Sequence, residues 1–140
     1  MSIHASLLGK RYMATMLHLV AILCAFYSLQ NNVRAALPVN YKQSEYNKKM
    51  DEAMISWGLA MAFIAAELVL MIAGFSLFYA LLAVFDIFVH VVGTITVVFF
   101  IANEWHVHTL WYIFILTVLI PLLAELAAVL SIVIFRRRPF

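Results

Sequence analysis

Five residues that could do chemistry stand inside otherwise apolar sequence: His18, Glu67, Asp86, His90 and Glu125. Carboxylates and imidazoles can relay protons, and either group can fix helix register by hydrogen bonding. A charge at the centre of a bilayer costs about 2.5–3.5 kcal/mol on insertion scales, so such groups face an interior rather than lipid. Counted from one end of their apolar runs, Glu67, His90 and Glu125 lie about nine, eleven and ten residues in. At the rise of an α-helix, each is roughly 13–17 Å deep. Three segments therefore place an ionisable group at one level, and Glu67, His90 and Glu125 should converge in an intramembrane polar layer. His18 and Asp86 lie nearby, closer to the terminal side. Asp86 and His90 are four residues apart, on one helical face and within reach of each other.

The elements that must position these groups are four apolar runs, near 12–29, 53–76, 79–102 and 109–135. Hydrophobic residues form 66% of the 140-residue chain and charged residues 11%, with a mean hydropathy of +1.02. Soluble domains carry roughly 25% charged residues. Each run reaches the ~20 residues needed to cross a bilayer. None shows the alternating ~10-residue pattern of a membrane β-barrel. The expected fold is an all-α bundle of four transmembrane helices in one domain, residues 1–140. Lys10 and Arg11 before the first run resemble a signal peptide. That run is long for one, and no small-residue cleavage site follows it, so an uncleaved span is expected.

Four spans put both termini on one side. Lys10, Arg11, Arg136, Arg137 and Arg138 stand on that side, against Arg34, Lys42, Lys48 and Lys49 on the other. Five against four favours cytosolic termini and an extracytosolic loop at 30–52. That loop is close to neutral, with Glu45, Asp51 and Glu52 offsetting its bases. Ser44 is a candidate N-cap for a short helix there. Tyr41 and Tyr46, and the cluster Trp105, Trp111 and Tyr112, read as interfacial aromatics. No N-x-S/T acceptor occurs.

Other features are weaker. Gly58, Ala62 and Ala66 form a small-residue stripe, as do Ala124 with Ala128 and Ala127 with Ser131; such stripes let helices approach. Pro121 should kink the last span. Cys24 is the lone cysteine and reads as a small core residue. His106 and His108 form an H-x-H pair without a third ligand. No catalytic, cofactor-binding or metal-binding motif is present, and nothing points to nucleic acid. The tail Arg136-Arg137-Arg138 suits an anionic leaflet or a partner. A pore needs successive polar positions. Beyond Glu67 only Ser76 is available, and Thr117 and Ser131 are far apart. The polar layer therefore reads as packing glue rather than a conduction path.

An ordered set of short motifs resembles the transmembrane protein 107 family. The set is His18-Leu19-Val20, Leu37-Pro38, Glu45-Tyr46, Glu67-Leu68, Trp111-Tyr112-Ile113-Phe114 and a basic run ending Pro139-Phe140. His18, Glu67, His90 and Glu125 fall where that family carries polar residues. Asp86 stands at an uncharged family position, and Glu104-Trp105 is shifted from the family's Glu-Arg-Trp pattern. The resemblance implies a non-enzymatic scaffold of the ciliary transition zone, within the Meckel syndrome module. It implies tectonic-type and other membrane proteins as partners and a role in controlling ciliary membrane composition. The alternative from the residues alone is a small proton- or cation-conducting channel or transporter built on the Glu/His layer.

Overall fold

The computed structural model describes residues 3–74 and 79–135. Among them there are only helices, turns and short connections. Helix α1 runs Ile3–Ala35, α2 Gln43–Ile72 and α3 Ala80–Ala102. The last span is α4 (Thr109–Phe114), a π-helical turn (Ile115–Leu119) and α5 (Ile120–Phe135). Four helices are long and apolar enough to cross a membrane. Arg136, Arg137 and Arg138, and the connection around Ser76, lie outside the described residues.

The apolar runs understate the first two helices. Helix α1 starts nine residues before its run and continues through Val33, because Asn31 and Asn32 are tolerated at its far end. Helix α2 takes in most of the polar segment before its run. Its N-cap is Lys42 rather than Ser44. The Lys42 backbone N–H donates to Glu45 Oε2 at 3.2 Å, so the glutamate three residues on satisfies an otherwise orphaned donor. Ordered connection between α1 and α2 therefore shrinks to residues 36–42, closed on the α1 side by two backbone bonds and Pro38.

Helix α1 packs along α3 and α2, and the α4–α5 span packs along α2 and α3. Among the described residues, α1 makes no close backbone approach to α4, the π turn or α5, and α2 makes none to α3. The helices thus occupy the corners of a square in the order α1, α3, α4–α5, α2. One stripe of each faces the centre at helical spacing. On α1 it is Arg11, Thr15, His18, Ile22, Ala25, Leu29 and Val33; on α3 it is Ala83, Asp86, His90, Gly93, Val97 and Phe100. The outward faces are Leu-, Val-, Ile- and Phe-rich, as lipid contact requires.

Two expected packing features are displaced. On α2 the small buried residues are Ala53, Ser56 and Ala60, while Ala62 and Ala66 are exposed. The stripe Gly58–Ala62–Ala66 lies on the wrong side because Glu67 and Ile64 fix which face turns inward. Cys24 is exposed and not in the core. It sits one residue before the buried Ala25, roughly 100° around the helix.

Pro121 acts through its preceding turn. Proline has no N–H for the Thr117 carbonyl, and its ring would strike that carbonyl in a regular helix. Residues 115–119 widen into a π turn instead, in which the Ile120 N–H donates to Ile115 O. The widened turn carries Thr117 into the centre of the bundle.

Candidate functional site

The polar side chains assemble in two tiers. In the tier nearer the termini, Arg11 of α1 crosses the bundle to Asp86 of α3 and Glu125 of α5. Its Nη2 lies 2.6 Å from Asp86 Oδ2 and donates to Glu125 Oε2. The Asp86 oxygen sits at ion-pair distance rather than on a hydrogen-bond axis. Arg11 is 1% exposed, and both carboxylates are fully buried. Thr15 stands one turn on, its hydroxyl donating to the Arg11 carbonyl at 3.1 Å.

The burial of Arg11 overturns its reading as an orientation signal. The apolar run starts at residue 12, which placed Arg11 outside the membrane segment; the longer α1 makes it an interior residue. One signal was available, since Arg11 is seven residues before His18 and hence on the same face. Without Arg11 the flanking basic residues number four against four, so the margin that favoured cytosolic termini disappears.

The second tier lies one turn further along α3. His90 Nε2 is 2.9 Å from Glu67 Oε1 of α2, and His90 Nδ1 is 3.0 Å from His18 Nδ1 of α1. His18 Nε2 is 3.4 Å from the Thr117 hydroxyl on the π turn, which donates to Ile113 O at 2.7 Å. His18, His90 and Glu67 are each at most 1% exposed. Asp86 is paired with Arg11 rather than with His90, although the two share a face. His18 is not nearer the terminal side than His90, because α1 begins at Ile3 and places His18 against Gly93. A Cβ on Gly93 would sit 2.5 Å from His18 Cε1 and 2.8 Å from Thr117 Cβ, so the ring seats there only because that position has no side chain.

The two tiers bridge the two diagonals of the square. Arg11–Glu125 and His18–Thr117 join α1 to the α4–α5 span, and Glu67–His90 joins α2 to α3. These are the helix pairs whose backbones stay apart. A long or hydrogen-bonded polar side chain does there what small residues do between adjacent helices.

Beyond His18 the interior is mostly apolar, a cluster that includes Ile22, Leu29, Val97, Phe100 and Phe114, with the buried hydroxyl of Ser56 from α2 isolated beside it. At its far end Asn32, buried and unanticipated from sequence, donates to Phe100 O at 3.0 Å and Trp105 O at 2.7 Å. It ties α1 to the turn where Glu104 takes a positive φ of 47°. Outside this, His108 Nδ1 meets Glu52 Oε1 at 3.0 Å, and His106 stacks on His108. Among the described residues no three His, Cys, Asp or Glu side chains are grouped to hold a metal ion.

The family model described as TMEM107, transmembrane protein, matches residues 7–129. Curated proteins called transmembrane protein 107 are similar along nearly their whole length. The one from Homo sapiens is 26% identical over 136 residues, 97% of each chain. Those from Rattus norvegicus and Danio rerio are 27% and 28% identical, each covered over 97% of its own length. No solved structure matches the chain.

Proposed function

The chain belongs to the TMEM107 family of multi-pass membrane proteins, and from that membership we propose that it is a non-enzymatic scaffold of the ciliary transition-zone membrane. In this role it holds other transition-zone membrane proteins, of the tectonic type and the Meckel syndrome module, and helps control which membrane components pass the ciliary gate. The tail Arg136, Arg137 and Arg138 binds the anionic leaflet or a partner beside the last span.

One observation carries the scaffold reading over the conducting one. The interior charges are spent on contacts between helices, and they stop at His18. From Ala21 to Leu29 on α1 the centre of the bundle is a buried apolar cluster, in which the hydroxyl of Ser56 stands isolated, and Asn32 closes its far end on backbone carbonyls. An ion path would need polar or hydrated positions through that depth. A rigid bundle locked across both diagonals instead presents a fixed outer surface, which suits assembly with other membrane proteins.

The test is localisation of the fluorescently tagged full-length chain in ciliated cells. Concentration in a ring at the base of the cilium is expected, with loss of partner proteins from that zone when the chain is depleted. Uniform distribution over the plasma membrane would refute the reading. Proton or cation flux in proteoliposomes above protein-free vesicles would favour a transporter.

A further inference from the structure

We infer that the second polar tier is a binding site for one exchangeable proton, shared by Glu67, His90 and His18 and closed to one side of the membrane. The argument is a hydrogen count. A hydroxyl has one hydrogen, and that of Thr117 is engaged by Ile113 O at 2.7 Å. Thr117 therefore accepts in its 3.4 Å contact with His18, and His18 Nε2 carries a hydrogen. The 3.0 Å contact between the two Nδ1 atoms needs one hydrogen, since two bare nitrogens repel and two N–H groups clash. The 2.9 Å contact between His90 Nε2 and Glu67 Oε1 needs one for the same reason. Three contacts hold three hydrogens. Two neutral imidazoles and a carboxylate supply only two, so the tier binds one more.

That proton has no single address. It is on Glu67 when both rings are neutral. Moving one hydrogen from Glu67 Oε1 to His90 Nε2 gives a carboxylate and a His90 imidazolium. Moving another from His90 Nδ1 to His18 Nδ1 passes the charge to His18. No heavy atom shifts, and the tier is neutral overall in all three forms. Three side chains on three helices thus form one titrating unit.

The ionisable groups facing the tier are Arg11 from α1, Asp86 from α3 and Glu125 from α5. Exchange is directional. Ile22, Leu29, Val97 and Phe100 fill the bundle on the loop side, with the Ser56 hydroxyl isolated among apolar neighbours, so the proton exchanges past the Arg11 tier, toward the termini. The site stores a proton and does not conduct it. It couples the packing of α1 and α2 onto α3 to proton activity on one side of the membrane.

The experiment uses the full chain in lipid bilayers with ¹⁵N-labelled histidine, read by solid-state NMR at successive pH values. The expected result is a nitrogen–nitrogen coupling between His18 and His90 Nδ1, a protonated His18 Nε2, and loss of one proton per chain as the unit titrates. In Glu67→Gln the amide donates to His90 Nε2, so both rings become neutral and the titration disappears while the coupling persists. Coincident titration of wild type and Glu67→Gln would overturn the inference. So would a bare His18 Nε2 in the native protein, which decides the matter if the variant does not fold. Steady proton flux under a pH gradient would overturn the closure.

Discussion

Gly93 gives the most direct test of how the polar centre is held. In Gly93→Ala the new methyl would lie 2.5 Å from His18 Cε1, 2.7 Å from His18 Nε2 and 2.8 Å from Thr117 Cβ. Carbon atoms pack at about 3.5–4.0 Å, so the shortfall is about 1 Å against two different helices. The α3 backbone cannot retreat, because His90 and Asp86 on the same face are tied to α2 and α1. The ring must move, losing its contacts to His90 and Thr117. Overpacking of this kind costs about 1–3 kcal/mol, and two buried membrane hydrogen bonds add about 0.6 kcal/mol each. The expected loss is about 2–4 kcal/mol, or roughly one and a half to three decades in the folding equilibrium. Reversible unfolding in bicelles, followed by helix circular dichroism, measures it. Gly58→Ala is the control: nothing lies within 4 Å of its added Cβ, and alanine favours helix by up to about 1 kcal/mol. In a His18→Ala background the Gly93→Ala penalty should shrink without vanishing, because Thr117 still opposes the methyl. If Gly93→Ala changes stability by less than about 0.5 kcal/mol, the seating argument is wrong.

Four further outcomes are expected. Arg11→Gln should destabilise the bundle by about 3–5 kcal/mol by stranding two buried carboxylates, and adding Asp86→Asn and Glu125→Gln should restore much of that; equal instability of the triple variant would count against charge pairing. Glu67→Gln should retain near-native yield and thermal stability, whereas Glu67→Leu should lose about 1–3 kcal/mol by leaving His90 Nε2 without a partner, both read by unfolding in the same bicelles. Single cysteines introduced for accessibility labelling should react from one side of the membrane at position 43 and from the other at positions 2 and 140; reaction of all three from the same side would refute the four-span topology. Replacing Arg136, Arg137 and Arg138 together with Gln should weaken localisation at the ciliary base or invert some molecules, and normal imaging with normal topology would remove the tail from the proposed function.

Much of the fold was legible because its signal is bulk hydrophobicity, which lipid forces on any spanning segment. The interior residues His18, Glu67, Asp86, His90 and Glu125 were legible for the complementary reason, as costly groups in apolar sequence. Pairing was not. Spacing places Asp86 beside His90, and only the packing of α1 gives Asp86 to Arg11. Arg11 itself is invisible to a hydropathy reading, because a cation at the edge of an apolar run looks like a flank whichever way it points. Gly93 and Thr117 carry no signal alone; their meaning comes from the ring that lies between them. Stripes of small residues misled on α2, where two larger inward residues set the face.

The Arg11–Glu125 contact joins residues 114 positions apart in the chain. At synthesis rates of about 5–20 residues per second, the cation is made roughly 6–23 s before its last partner. During that interval α1 is in or at the bilayer with an arginine that lacks Glu125 and, until residue 86 is made, Asp86 as well. Its long stem lets the guanidinium reach the headgroups in the meantime. Helix α1 can therefore settle to its final depth only after α5 has emerged. Chains that stop before residue 125 keep an arginine without its full set of partners, an unfinished state that membrane quality control can recognise by chemistry rather than by length.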